Sequence, residues 1–216
     1  MQLIGLMGAA GAGKDTTADL VAELVPSLVR FAFADQLRTE IAAAWGIDVR
    51  VLMDRALRDV PLEQLALRRC TDGGFVSYAW ELSTLPGIRP RNLMQRWGDW
   101  RRMQDPDYFI HPAEAGRVQA VFGATRLMAV TDVRYPNEAA WVRRHGGLLW
   151  RIARPGLQVI DSHSSEHSSK DVTADAAIVN GGAGAGTLVT LPASKVNFAE
   201  AQFDGTNWLF QACGTQ

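Results

Sequence analysis

The chain has 216 residues, with 22 Lys plus Arg against 23 Asp plus Glu, a formal charge of −1. Near-neutrality argues against a nucleic-acid coat and gives no pull toward an acidic membrane surface. The length suits one domain with at most a small appendage, no run of about 18 apolar residues is present to span a bilayer, and two unpatterned cysteines, Cys70 and Cys213, fit a reduced cytoplasmic setting.

The first predicted element is a strand over residues 2–7, followed at once by Gly8-Ala-Ala-Gly11-Ala12-Gly13-Lys14-Asp15-Thr16. This apolar stretch lacks a basic leader and carries a glycine-rich loop, so it does not read as a signal peptide. Gly8, Gly13 and Lys14 satisfy G-x-x-x-x-G-K, the phosphate-cradling pattern. Glycines let successive N–H groups curl toward an anion, the lysine reaches the terminal phosphates, and the helix starting there adds the positive end of its dipole. Asp15 stands where a Ser or Thr would ligate magnesium, and the hydroxyl comes one residue later, at Thr16. The helix spans 14–25, with apolar spacing at 18, 21, 24 and 25. Lys14 is expected to lie exposed in the ligand crevice.

A short strand near Val29–Phe33 feeds a helix from about Asp35 to Trp45. Asp35 and Arg38 fall on its first turns, Asp35 serving either as a helix N-cap or as a contact to a phosphoryl acceptor. Residues 48–71 read as helical and arginine-rich, with Pro61 opening a second helix; 71–74 and 85–90 are breaks. The next helix, Arg91–Met103, lies in a stretch with five arginines in the fourteen residues from Arg89 to Arg102. At about 100° per residue, Leu93, Trp97 and Trp100 share one face, and Arg91, Gln95, Gly98 and Arg102 share the other. An ordinary solvated face would also carry arginine. The lack of a carboxylate on this one suits an anion, with Arg102 placed to stabilise transferred charge.

Asp105-Pro106-Asp107 stops that helix, and another near Pro112–Val121 leads to a strand over Arg126–Thr131. The strand ends at Asp132, where phosphate-loop enzymes place a carboxylate for magnesium, held directly or through water. Capping of the next helix is the plainer use of such an aspartate. Arg134 can reach the same crevice, and Asn137 and Glu138 begin a helix over 136–145 that stops at Gly146-Gly147. A strand over 148–153 follows, ahead of Arg154 and Pro155. Alternating strands and helices predict an α/β fold, a parallel sheet flanked by helices.

His163-Ser-Ser-Glu166-His167 matches a zinc-peptidase spacing, H-x-x-E-H. The serine-rich surroundings lack the helical face that zinc chemistry needs, so polar contacts near the nucleotide crevice or a solvated loop fit better. Residues 181–186 form a Gly-rich spacer. Beyond it, Thr187–Leu191 and two arms around Asp204-Gly205 predict a short β-rich tail. The domain reading is therefore 1–180 for a nucleotide kinase domain and 181–216 for a linker with an appended hairpin or association element, the latter implying a homodimer.

Taken in order, these motifs resemble the phage-type deoxynucleoside monophosphate kinases, a phosphate-loop kinase family. The resemblance rests on Gly8–Thr16, Phe33–Arg38, Leu93–Gly98 with Arg102, Asp132–Glu138, Arg154-Pro155-Gly156 and His163–Glu166, and covers about residues 1–180. It implies transfer of the γ-phosphoryl of ATP, with magnesium, to the 5′-phosphate of a deoxynucleoside monophosphate. It further implies that Gly8, Gly11, Ala12, Gly13, Lys14, Asp15 and Thr16 hold the ATP phosphates and that Arg154 and Pro155 flank the adenine. Asp35, Arg38, Arg91, Gln95, Arg102, Asp132, Arg134 and Glu138 would bind the acceptor substrate. Lys14, Arg102, Asp132 and Arg134 would act at the transferred group, with Thr16 and Asp132 toward Mg2+. An aspartate after the loop lysine is familiar in that family. The expected partner is a small nucleotide in the cytoplasm (of a host cell if phage-encoded), not nucleic acid or membrane. A kinase for another phosphorylated acceptor, such as phosphomevalonate, and a nucleotide-driven ATPase or switch are the alternatives.

Overall fold

The computed structural model describes residues 2–112, 127–157, 172–180, 189–190, 201–203 and 208–210. The chain divides into two compact units, residues 1–32 with 116–216, and residues 33–115. In sequence, the second unit is an insertion into the first.

The first unit is built on strands β1 (Gln2–Met7), β2 (Leu28–Phe31), β3 (Leu127–Val130), β4 (Leu148–Ala153) and β5 (Ala176–Val179), in the order β2-β3-β1-β4-β5. All five run parallel, with Ile4 opposite Ala129 and Leu148, and Ile152 opposite Ile178. This is the α/β class expected of a phosphate-loop protein. A two-residue strand, β6 (Val189–Thr190), pairs antiparallel with β5 at the sheet edge. Strands β7 (Ala201–Phe203) and β8 (Trp208–Phe210) form a separate antiparallel pair, as the tail's pattern predicted.

β3 is buried at every position, as a near-continuous apolar run in a parallel sheet requires. Helix α1 (Lys14–Leu24) packs Ala18 and Val21 onto a cluster with Ile4, Leu6, Leu127, Ile152 and Ile178. Helix α6 (Pro136–Arg144) buries Ala139, Trp141 and Val142, and its end turns through Gly146 at φ 71. Asp175 ties the start of β5 to β4: its carboxylate accepts the Leu149 N–H at 2.8 Å and its own N–H donates to the Leu149 carbonyl.

The second unit contains α2 (Phe33–Trp45), α3 (Arg50–Met53), α4 (Gly73–Tyr78) and α5 (Pro90–Gln104), joined by short 3-10 turns. Its core is aromatic: Phe75 lies 4.7 Å from Trp97 and 5.4 Å from Trp100, ring centre to ring centre.

Several predicted boundaries shift. Helix α2 starts at Phe33, so Asp35 is inside the first turn, paired with Arg38 at 2.8 Å, and is not an N-cap. The long helices expected over 48–71 are absent. Asp54 closes a turn by accepting the Ala56 N–H, and Leu62 trades backbone hydrogen bonds with Ile88 in both directions. Extended backbone at Leu62 and Ala66 then leaves room only for 3-10 turns at 63–65 and 67–69. Conversely, the break at 71–74 contains a helix start, because Asp72 accepts the Phe75 N–H. Strand β5 was not anticipated. The helix expected at 112–121 and the His163–His167 pattern fall outside the described residues, apart from Pro112.

Candidate functional site

Parallel strand order brings the carboxyl ends of β3, β1, β4 and β5 side by side along one edge of the sheet. Such edges are where open α/β sheets bind ligands. Asp132 follows β3, the glycine-rich loop follows β1, Arg154 and Pro155 follow β4, and Asn180 follows β5.

The loop has the backbone that its sequence requires. Gly8, Gly11 and Gly13 adopt φ of 140°, 82° and 100°, and no residue other than glycine has positive φ among the described residues. A methyl group at Gly8 would strike the Ile152 carbonyl, and one at Gly13 would strike the side-chain amide of Asn180. Helix α1 begins at Lys14 with Gly13 as its cap and no side chain closing the end. Its first N–H groups are thus oriented as an anion site, strengthened by the helix dipole.

Lys14 departs from expectation. It is only 8% exposed, because its ammonium turns back to donate to the carbonyls of Gly8 at 2.7 Å and Ala9 at 3.0 Å. A lysine folded over its own loop closes the ring that a phosphate would occupy. Thr17, also buried, donates to the Gly13 carbonyl at 2.9 Å, whereas Asp15 and Thr16 point outward and are exposed. Thr16 is therefore accessible as a hard oxygen donor, and Asp132 is half-buried at the end of β3.

Around this loop, Leu157 lies where a methyl group on Gly11 would touch it at 3.5 Å, which sets the turn of Arg154 and Pro155 beside the loop. That turn is closed by Leu157 donating to the Arg154 carbonyl, and both Arg154 and Pro155 are exposed. Glu138, 3% exposed, accepts the N–H groups of Arg134 at 2.8 Å and Tyr135 at 3.1 Å. It fixes the entry to α6 and with it the backbone of Arg134. Among the described residues no cluster of three or more His, Cys, Asp or Glu could cage a metal. Magnesium held by a carboxylate, a hydroxyl and phosphate oxygens needs no such cage.

Two residues escaped the sequence reading. Asn180 donates its side-chain N–H to the Ala12 carbonyl at 3.0 Å, and its backbone N–H to Ala153. The signal for it was Ala176–Val179 followed by a polar residue, a strand too short and alanine-rich to stand out. In the second unit the missed residue is Glu40. Its carboxylate accepts from Gln36 Nε2, Trp97 Nε1, Arg101 Nε and Tyr108 Oη, all between 2.9 and 3.0 Å. No local pattern announces such a hub, since three of its donors lie 57 to 68 residues away.

The arginines of α5 are correspondingly divided. Arg101 is held by Glu40 and sits over Trp100 at 4.3 Å and Tyr108 at 4.8 Å. Burial and the Glu40 carboxylate push the Tyr108 hydroxyl above its ordinary range. Arg91 forks onto Asp59 at 2.6 and 3.0 Å. That hydrogen bonding, aided by the nearby charges of Arg58 and Arg89, holds the Asp59 carboxyl below the usual carboxylate range. Gly98 is buried against Leu37 and is not part of an open face. Arg102, half-buried, stacks over Phe109 at 4.8 Å, and Gln95 is half-buried on the same helix.

No helix among the described residues is long and apolar enough to cross a membrane. No family model matches the chain. It is, however, similar to a protein of Acanthamoeba polyphaga mimivirus named "Putative deoxynucleotide monophosphate kinase", 25% identical over 189 residues. The match covers 83% of this chain and 89% of the viral protein. The resemblance read from the motifs is thus met by a distant homologue of the same name.

Proposed function

We propose that the protein is an ATP-dependent kinase of deoxynucleoside monophosphates, yielding the diphosphate for DNA precursor synthesis. The observation that carries this reading is the glycine-rich loop at the sheet edge, its three left-handed glycines, Lys14 and the open start of α1 forming one anion cradle. The viral homologue supports the choice of a monophosphate acceptor over other kinase substrates.

In this reaction a phosphate oxygen of the acceptor forms the new bond to the γ-phosphorus of ATP, and the bond from that phosphorus to the β–γ bridging oxygen breaks. ADP leaves with the electron pair. The acceptor oxygen is already ionised, so no strong general base is required; positioning and charge neutralisation suffice. Lys14 exchanges the Gly8 and Ala9 carbonyls for β- and γ-phosphate oxygens. The N–H groups of the loop and of the first α1 turn take the remaining charge. Magnesium, if held there, would supply neutralisation of the charge that builds on the leaving ADP. Thr16 and Asp132 offer the oxygen ligands for it, the chemistry that this ion prefers. Arg154 and Pro155 border the adenine, and Arg134 assists at the transferred group.

Asp35, Arg38, Arg91, Gln95 and Arg102 are the proposed acceptor contacts. Arg91 is engaged by Asp59 and Arg38 by Asp35, whereas Arg102 stacks over Phe109. Acceptor phosphate would have to displace those carboxylates. Glu138 is proposed as a substrate contact only through the backbone that it fixes at Arg134.

A panel of deoxynucleoside and ribonucleoside monophosphates, phosphomevalonate and an acceptor-free control, each with ATP and magnesium and read by ADP release and by identification of the product, tests the proposal. Turnover confined to phosphomevalonate or to acceptor-free ATP hydrolysis would replace it with a different kinase or a nucleotide switch.

A further inference from the structure

We infer that Asn180 is a positioning residue for the phosphate cradle, acting from the end of β5 on the peptide unit between Ala12 and Gly13. The inference rests on the nucleotide-binding reading above and assigns that site a part found on no glycine-loop motif.

A trans peptide is planar, with its C=O and N–H pointing in opposite directions. The Asn180 amide donates to the Ala12 carbonyl at 3.0 Å, so it fixes the direction of that C=O from outside the loop. The Gly13 N–H is thereby turned the other way, toward the inside of the curl that Gly8, Gly11 and Gly13 make at positive φ. Among the described residues, no loop or turn backbone carbonyl accepts that N–H. The approach is close: a Cβ on Gly13 would collide with the Asn180 amide, which lies directly over the Gly13 Cα.

The amide is itself well anchored. Its backbone N–H donates to the Ala153 carbonyl at 2.7 Å, the last residue of β4. The neighbouring residues Ile178 and Val179 pair with Ile152 and Ala153 in the sheet. The loop thus leans on a rigid strand end, which spares the ATP phosphates the cost of ordering it. An amide suits this task better than a carboxylate, which would face the Ala12 carbonyl with no donor.

The test compares ATP with inorganic triphosphate, which has the phosphates without the base. Binding is measured by calorimetry for the parent, Asn180→Ala and the isosteric Asn180→Asp, alongside melting temperatures. Affinity for both ligands is expected to fall about tenfold in Asn180→Ala, and further in Asn180→Asp, by equal factors for the two ligands. The melting temperature should change by no more than about 4 °C. Unchanged affinity in both variants overturns the inference. So does a loss for ATP alone, which marks a contact to the nucleoside, and so does a collapse of the melting temperature in both variants, which marks a plain structural role. A parent protein that binds neither ligand overturns the nucleotide-binding reading itself, and this inference with it.

Discussion

Lys14 and Arg101 are both cations drawn into the protein, and they are held in different ways. Lys14 donates to two carbonyls of its own loop, within six residues of itself. Arg101 is clamped by Glu40 and stacked among Trp97, Trp100 and Tyr108, partners from distant parts of its unit. Neutral carbonyls are weak partners for an ammonium, so a phosphate can take their place. A carboxylate with four donors and three aromatic faces leaves Arg101 nothing to gain by moving. The first arrangement fits a ligand-exchanging cation, the second a structural one. Arg102, one residue on, stacks over Phe109.

Breaking each half of that comparison gives the following outcomes. Lys14→Ala should reduce kcat/KM by about a thousandfold, the scale of losing a principal charge-stabilising donor. Its melting temperature should move by no more than about 4 °C, since the hydrogen bonds to Gly8 and Ala9 tie Lys14 to its own loop and not to a distant element. Steady-state kinetics with calorimetric melting checks both parts.

Glu40→Ala should do the reverse in kind, costing about 3 kcal/mol of stability by leaving Arg101 and Tyr108 without their acceptor. Urea unfolding followed by tryptophan emission reads it, and a variant as stable as the parent contradicts the hub. Gly8→Ala comes next, at about 2 kcal/mol, because an L side chain there faces both the left-handed backbone and the Ile152 carbonyl. ATP affinity should drop in the same variant.

The smallest effect belongs to the exposed pair of Asp59 and Arg91. Asp59→Asn should cost less than about 1 kcal/mol at pH 7. The folded-state pKa of Asp59 is lowered, so its contribution is full above the ordinary carboxylate range. It fades as pH falls below about 4. Urea midpoints of parent and variant should therefore converge in acid; a gap that persists or widens there argues against the ion pair as its source. If Arg91 handles acceptor phosphate, the same variant also lowers KM for the monophosphate by releasing it.

The contrast also explains what could be read from the chain in advance. Gly8 to Thr16 was legible because each residue's role is local: left-handed φ at glycine, a lysine at a fixed offset, a helix start immediately after. The apolar runs at 127–130 and 148–153 were legible for the same reason. Strand β5 was not, because four residues with two alanines carry little β signal, and Asn180 was hidden with it. The segment 48–71 misled because arginine-rich, leucine-spaced sequence has helical periodicity, whereas Leu62 is captured by Ile88 across 26 residues of chain. On α5 the wheel separated an apolar face from a polar one correctly for Leu93, Trp97 and Trp100. It could not show that Gly98 packs on Leu37, or that Asp59 and Glu40 would claim two of the arginines.

The most direct test of the account follows the label from γ-phosphate-labelled ATP in the presence and absence of each deoxynucleoside monophosphate, for the parent and Lys14→Ala. The account predicts labelled deoxynucleoside diphosphate, formed one for one with ADP by the parent and lost in the variant, with little label released as free phosphate when no acceptor is present. Label released as free phosphate at the same rate with and without acceptor, and no labelled diphosphate from any of them, would contradict it.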